Sequence, residues 1–180
     1  MSHYQIRNMV LAALLLALGM VLPFLTGQIP QIGSVLSPMH IPAFLCGFVC
    51  GWPYGLAVGF IMPLLRSLLF GMPRLIPSAM AMAFELAAYG FSAAVIYRLL
   101  PKRPLFIYVT LIASMLIGRL VWGLASLVVY RLFTENTFTL ALFLTNGFLN
   151  AIPGIILHIA LVPAVVMALE RADLIDTGEF

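Results

Sequence analysis

The sequence predicts an all-α integral membrane protein: six transmembrane helices in one domain spanning residues 1–180, with both termini in the cytoplasm. Composition is the first ground. Of the 180 residues 63% are hydrophobic and only 8% charged, where an average soluble domain carries roughly 25% charged residues, and mean hydropathy is +1.13. The spacing of the apolar runs is the second ground, and the placement of the few basic residues between them is the third. The net charge of +3 therefore speaks of topology and not of nucleic acid.

A helix crossing the hydrocarbon core needs about 20 apolar residues at about 1.5 Å each. The first run, roughly residues 7–25, has the basic flank and apolar body of a signal peptide. No small-residue cleavage site follows it and further spans do, so it reads as a retained first helix. The next run, 39–71, is too long for one span and short for two, and Gly51-Trp52-Pro53-Tyr54-Gly55 interrupts it with a turn signal. Two short helices, 39–51 and 53–71, are expected there, buried against neighbours or thinning the bilayer locally. Spans at 77–98, 104–132 and 138–169 complete the set, the last two long enough to tilt. Pro153-Gly154 and Pro163 should bend the sixth.

The positive-inside rule supports six spans. They leave Arg7, Arg98, Lys102, Arg103 and Arg171 in the cytoplasm against Arg74 and Arg131 outside, a ratio of five to two. Merging 39–71 into one span gives four against three at best. The acidic tail (Glu170, Asp173, Asp176, Glu179) carries little weight in the rule. The expected surroundings are the lipid bilayer of a prokaryotic-type plasma membrane.

Strongly polar residues fall in the outer half and the midplane of this bundle. Arg66 sits just below the outer surface, where it can snorkel. Glu85 sits about 12 Å down its helix at the helical rise. Arg119 is central in the fifth span, and Asn146 and Asn150 lie in the outer part of the sixth. The inner half holds only His158, at a depth opposite to that of His40 and with a backbone carbonyl as the expected partner of its neutral ring. Unpaired, Arg66, Glu85 and Arg119 would cost on the order of 8 kcal/mol to insert, so they must face one another or a watered cavity. Helical steps agree: Ser78, Met82, Glu85 and Tyr89 share one face, as do Met115, Arg119, Trp122 and Ser126, and Phe143, Asn146, Asn150 and Pro153. Polar heads mixed with aromatics and Met are the lining of a small-molecule pocket. Tyr89 and Trp122 would stack on the ligand. A buried Glu85–Arg119 lock between two helices, with the asparagines as interhelical glue, is the structural alternative. It leaves the second arginine without an acid, and the surplus positive charge suits an anionic or zwitterionic ligand.

Cys46 and Cys50 lie one turn apart with no second cluster nearby and read as small core residues; no metal and no cofactor is expected. An intramembrane hydrolase would need a nucleophile beside a base, and Ser114 and Ser126 have no histidine at their depth. A stand-alone proton-coupled small-molecule carrier using Glu85 and His158 is the second functional class; such carriers show repeats, so this one would act as a dimer. Between the first two helices runs TGQIPQIGSVLSPMH, an uncharged outer connection of the kind that forms lids, in which Gln28, Gln31 and His40 are the candidate gating residues.

The ordered set SPMHIPAFLCGFVCGWPYGLAVGFIMPLL and LLFGMPRLIPSAMAMAFELAAYG, over about residues 37–90, resembles the substrate-binding (S) components of energy-coupling factor (ECF) transporters. GRLVWG in the fifth helix fits more loosely, and Arg66 stands where many members carry a small residue. The resemblance implies a non-enzymatic six-helix protein that captures a vitamin-like micronutrient in its outer half, under the first connection. It also implies uptake together with a transmembrane coupling subunit and two cytoplasmic ATPases, in keeping with a chain that has no phosphate-binding G-x-x-x-x-G-K-[ST] loop. Ala13 and Ala17 form a small-x-x-x-small step in the first helix. Packing within the bundle would explain them, and the resemblance implies that they dock the coupling subunit.

Overall fold

The structure is a computed structural model that describes residues 3–26, 33, 35–134 and 137–172. Among these residues every regular element is helical. Helix α1 (His3–Val21) runs on into a 3₁₀ segment, Leu22–Thr26; α2 (His40–Cys50) and α3 (Trp52–Phe70) follow. A wide turn, Leu75–Ala79, leads into α4 (Met80–Leu99), and α5 spans Pro104–Phe133. Helix α6 (Leu140–Leu144) continues through a second wide turn, Thr145–Leu149, to α7 (Ile152–Arg171).

Five stretches are long and apolar enough to cross a membrane: Gln5–Leu25, Trp52–Phe70, Leu75–Leu99, Pro104–Phe133 and Ile152–Arg171. The second expected span is the shorter α2, whose eleven residues are all buried. A helix enclosed by protein on every side need not match the bilayer thickness. Gly51 ends it with φ 89°, a conformation that glycine adopts without penalty. The buried Asn8 side chain then donates to the Cys50 carbonyl at 3.4 Å, satisfying one of the orphan acceptors of that helix end. The expected continuous span 138–169 is divided at Asn150 and Ala151. Pro153 lies in the first turn of α7, where a missing N–H costs nothing; further inside one helix it would have broken the hydrogen-bond ladder.

The centre of the bundle is made of small residues. The α3–α4 contact is so close that a Cβ on Gly90 would fall 2.2 Å from the Gly55 carbonyl oxygen, and one on Gly59 would fall 2.3 Å from that of Leu86. Both obstacles are backbone, which cannot swing aside. Gly90→Ala is therefore expected to destabilise the detergent-solubilised protein by about 1–3 kcal/mol, read as a lowered unfolding temperature; an unchanged temperature would mean the helices are held apart elsewhere. Large apolar side chains turn outward instead, among them Leu14, Leu18, Leu120 and Leu124. At the other end from the site described below, the Tyr97 hydroxyl donates to Glu170, and Lys102 donates to the Tyr97 carbonyl at 2.6 Å. Burial lowers the Lys102 pKa from the ordinary lysine value, with the Glu170 charge opposing.

Candidate functional site

Glu85 is the organising residue. It projects from α4, is 1% exposed, and meets the Arg119 guanidinium of α5 at 2.8 Å. One turn further along α4, the Tyr89 hydroxyl donates to the same Glu85 oxygen at 2.7 Å. Tyr89 fits there because α5 offers Gly118 opposite it: a Cβ at that position would lie 2.2 Å from the tyrosine ring. Its other side stacks on Phe44 of α2 at 4.5 Å. The low-dielectric interior strengthens a carboxylate held by two donors, and equally raises the cost of losing either.

Beside this pair lies a cavity of about 840 Å³, within the usual range for a small-molecule site. It is lined by Ser78 of the wide turn, by Met82 and Glu85 of α4, by Arg119, Trp122 and Ser126 of α5, and by Asn146 and Asn150 of the α6–α7 region. These residues keep the expected helical spacing, but Met115, Phe143 and Pro153, expected on the same faces, do not line the cavity. The asparagines are joined to each other, Asn150 Nδ2 donating to Asn146 Oδ1 at 3.1 Å. Trp122 is braced by Phe138 edge-on at 5.6 Å and by Phe143 at 6.1 Å. Gly33, Ser37, Pro38 and Met39, from the connection between α1 and α2, also line the cavity. Gln28 and Gln31 lie outside the described residues.

Three sequence expectations change in the folded chain. Tyr89 does not line the cavity and stands behind Glu85, so it cannot stack on a ligand from where it is. Arg66 lines the cavity but does not snorkel outward: it is 2% exposed, donates to the Met20 carbonyl, and lies 5.1 and 5.2 Å from the Phe24 and Phe70 rings. The carbonyl is one that the end of α1 leaves without a helical partner, so a buried cation finds both an acceptor and π faces. His40 and His158, expected at opposite depths, stack at 5.6 Å. The break before α7 explains it, since His158 is only six residues into a new helix and not deep in a long one. His158 Nε2 donates to the Ser37 carbonyl at 3.2 Å, the backbone partner expected for it.

His40 itself belongs to the cavity wall, with Nε2 at 3.6 Å from Glu85 Oε1. A residue that opens a helix is placed by what packs around that helix end, which the sequence does not show. Arg74, Tyr130 and Phe138 also line the cavity, where the sequence places Arg74 only among the outer basic residues. Connecting segments lack the periodicity that would have revealed such roles. Among the described residues no three His, Cys, Asp or Glu side chains cluster as a metal site would require.

On α1, Ala13 and Ala17 are exposed, in one stripe with Met9, Val10, Leu14, Leu18 and Val21. The bundle side of that helix is made by Asn8, Ala12 and Gly19, the last against Met62 of α3, with Leu11, Leu15 and Leu16 packed on the core beside them. The Ala13–Ala17 step is thus left outside the bundle.

The family profile described as ECF transporter, substrate-specific component, matches residues 7–166. Neither the curated proteins nor the solved structures yield a match.

Proposed function

The chain belongs to the substrate-specific components of ECF transporters, and from that premise we propose that it captures an anionic or zwitterionic, vitamin-like micronutrient from the outer side of a plasma membrane. The family assignment carries the coarser statement: substrate-specific uptake with an ECF module. In the fuller reading the module comprises a transmembrane coupling subunit and two cytoplasmic ATPases. The chain crosses the membrane six times with both termini inside, and Ala13 and Ala17 meet the coupling subunit.

One observation carries the choice of ligand charge. Among the described residues, Arg66, Arg74 and Arg119 line the cavity against the one carboxylate of Glu85, which Arg119 already occupies. A cavity with surplus guanidinium charge favours a ligand carboxylate or phosphate, which arginine recognises in bidentate fashion. The test is mass spectrometry of the small molecules released when the detergent-purified protein is denatured. A stoichiometric anionic or zwitterionic compound is expected; a bound cation or a neutral hydrocarbon would refute the charge assignment.

A second reading, the proton-coupled carrier acting as a dimer, draws on the His40–His158 stack beside Glu85. The two separate cleanly in vesicles. Uptake by this chain alone under an imposed proton gradient would establish the carrier, whereas uptake that needs the coupling subunit and ATP supports the first reading.

A further inference from the structure

His40 is 3% exposed, yet neither of its ring nitrogens has a hydrogen-bond partner. Buried polar groups are nearly always satisfied, and an exception calls for a reason. The nearest acceptor, Glu85 Oε1, is at 3.6 Å, beyond an ordinary hydrogen bond. The ring is nevertheless firmly mounted. It stacks on His158, and the Ser37 carbonyl that receives His158 also accepts the His40 backbone N–H at 3.0 Å. Ser37 holds that carbonyl in place from a left-handed backbone conformation, φ 45°, rare for a residue with a side chain. The ring is part of the cavity wall, its Nδ1 has no partner and its Nε2 turns toward Glu85, so imidazole and carboxylate together form one polar edge there.

The cavity is also long. Along the wide turn and α4 its lining runs from Ser78 to Glu85, and on the antiparallel α5 from Arg119 to Tyr130, about 10 and 16 Å at the helical rise. His40, Glu85 and Arg119 share one end. Arg74, exposed and just ahead of α4, lies at the other and has no carboxylate partner among the described residues.

We propose that the cavity takes a two-ended small molecule: a donor–acceptor edge of the lactam or amide kind is read at the floor by His40 together with Glu85 and Arg119, and an anionic group at the far end meets Arg74 at the mouth. Arg119 has N–H groups left over from its bond to Glu85 and gives one to the ligand carbonyl; the ligand N–H goes to Glu85 or to the acceptor nitrogen of His40. A flat midsection lies along Trp122. The inference rests on the capture reading and adds to it the shape of the ligand and a residue that reads it.

The test incubates purified protein with the dialysable fraction of a rich bacterial growth medium, washes it, and identifies what is retained by mass spectrometry. The retained compound is expected to carry both ends. His40→Phe keeps the ring stack and removes the nitrogens, and should lower retention roughly tenfold or more without lowering the unfolding temperature. If that variant is unstable, His40→Gln, which keeps a donor and an acceptor, should restore part of the retention. Arg74→Gln should lower retention less, because the mouth is wet. A retained compound lacking either end, or undiminished retention by His40→Phe, overturns the proposal while leaving capture intact. A wild type that retains nothing overturns both.

Discussion

Replacing Arg119 with alanine is expected to abolish ligand retention and to cost about 3–5 kcal/mol of stability, the usual consequence of leaving a buried charge without its partner. Glu85 is almost wholly inside the protein, and Arg119 and Tyr89 are its close donors at 2.8 and 2.7 Å. Tyr89 alone does not neutralise a carboxylate. Glu85→Gln should be milder in stability, since an amide oxygen still accepts from Tyr89, but should also lower retention roughly tenfold or more. The double variant Glu85→Gln, Arg119→Met separates the two meanings of this pair. Removing both charges should return much of the stability, while retention stays lost. A double variant that binds like the wild type would show that the pair only locks α4 to α5, and the ligand site would have to be sought elsewhere.

Ala17→Leu, and Ala13→Leu beside it, are expected to do the reverse: ligand retention unchanged, uptake abolished. Both alanines are exposed on α1 and belong to a stripe that the bundle does not use. Intramolecular contacts are made by other residues of the helix, Asn8, Ala12, Gly19 and the leucines Leu11, Leu15 and Leu16. A leucine on the exposed stripe therefore meets only lipid in the isolated chain. It would hold a partner helix away from a surface that small residues open to close approach. Reconstitution with the coupling subunit and ATPases, measuring retained ligand and transported ligand in the same preparation, checks both halves. Normal uptake by the two variants would move the docking face to another helix, and lost retention would show that α1 shapes the cavity.

The Glu85–Arg119 pairing could be read in advance because an acid within an apolar span has few ways to be tolerated. Helical steps likewise place Ser78, Met82, Trp122, Ser126 and the two asparagines on the cavity side, though not Met115, Phe143 or Pro153. Prediction failed where a residue's neighbours, and not its own span, set its place. Tyr89 shares the face of Glu85 by spacing, yet the gap at Gly118 and the ring of Phe44 draw it behind the carboxylate. His40 looked like a surface residue because it opens a helix, but α2 opens inside the protein. His158 is deep only if Pro153 bends one continuous span; Pro153 instead lies in the first turn of a separate helix.

Hydropathy and buried charge are penalties that each residue carries wherever it goes, so the membrane class, the apolar stretches and the need to pair or hydrate the buried charges were already settled in the chain of letters. Which side chains close around the cavity was not. That depends on how near two backbones can come, and here the approach of α3 to α4 is set by Gly55, Gly59 and Gly90 touching carbonyl oxygens. Such contacts join residues far apart in sequence and leave no period to read. They exist only once the helices have packed.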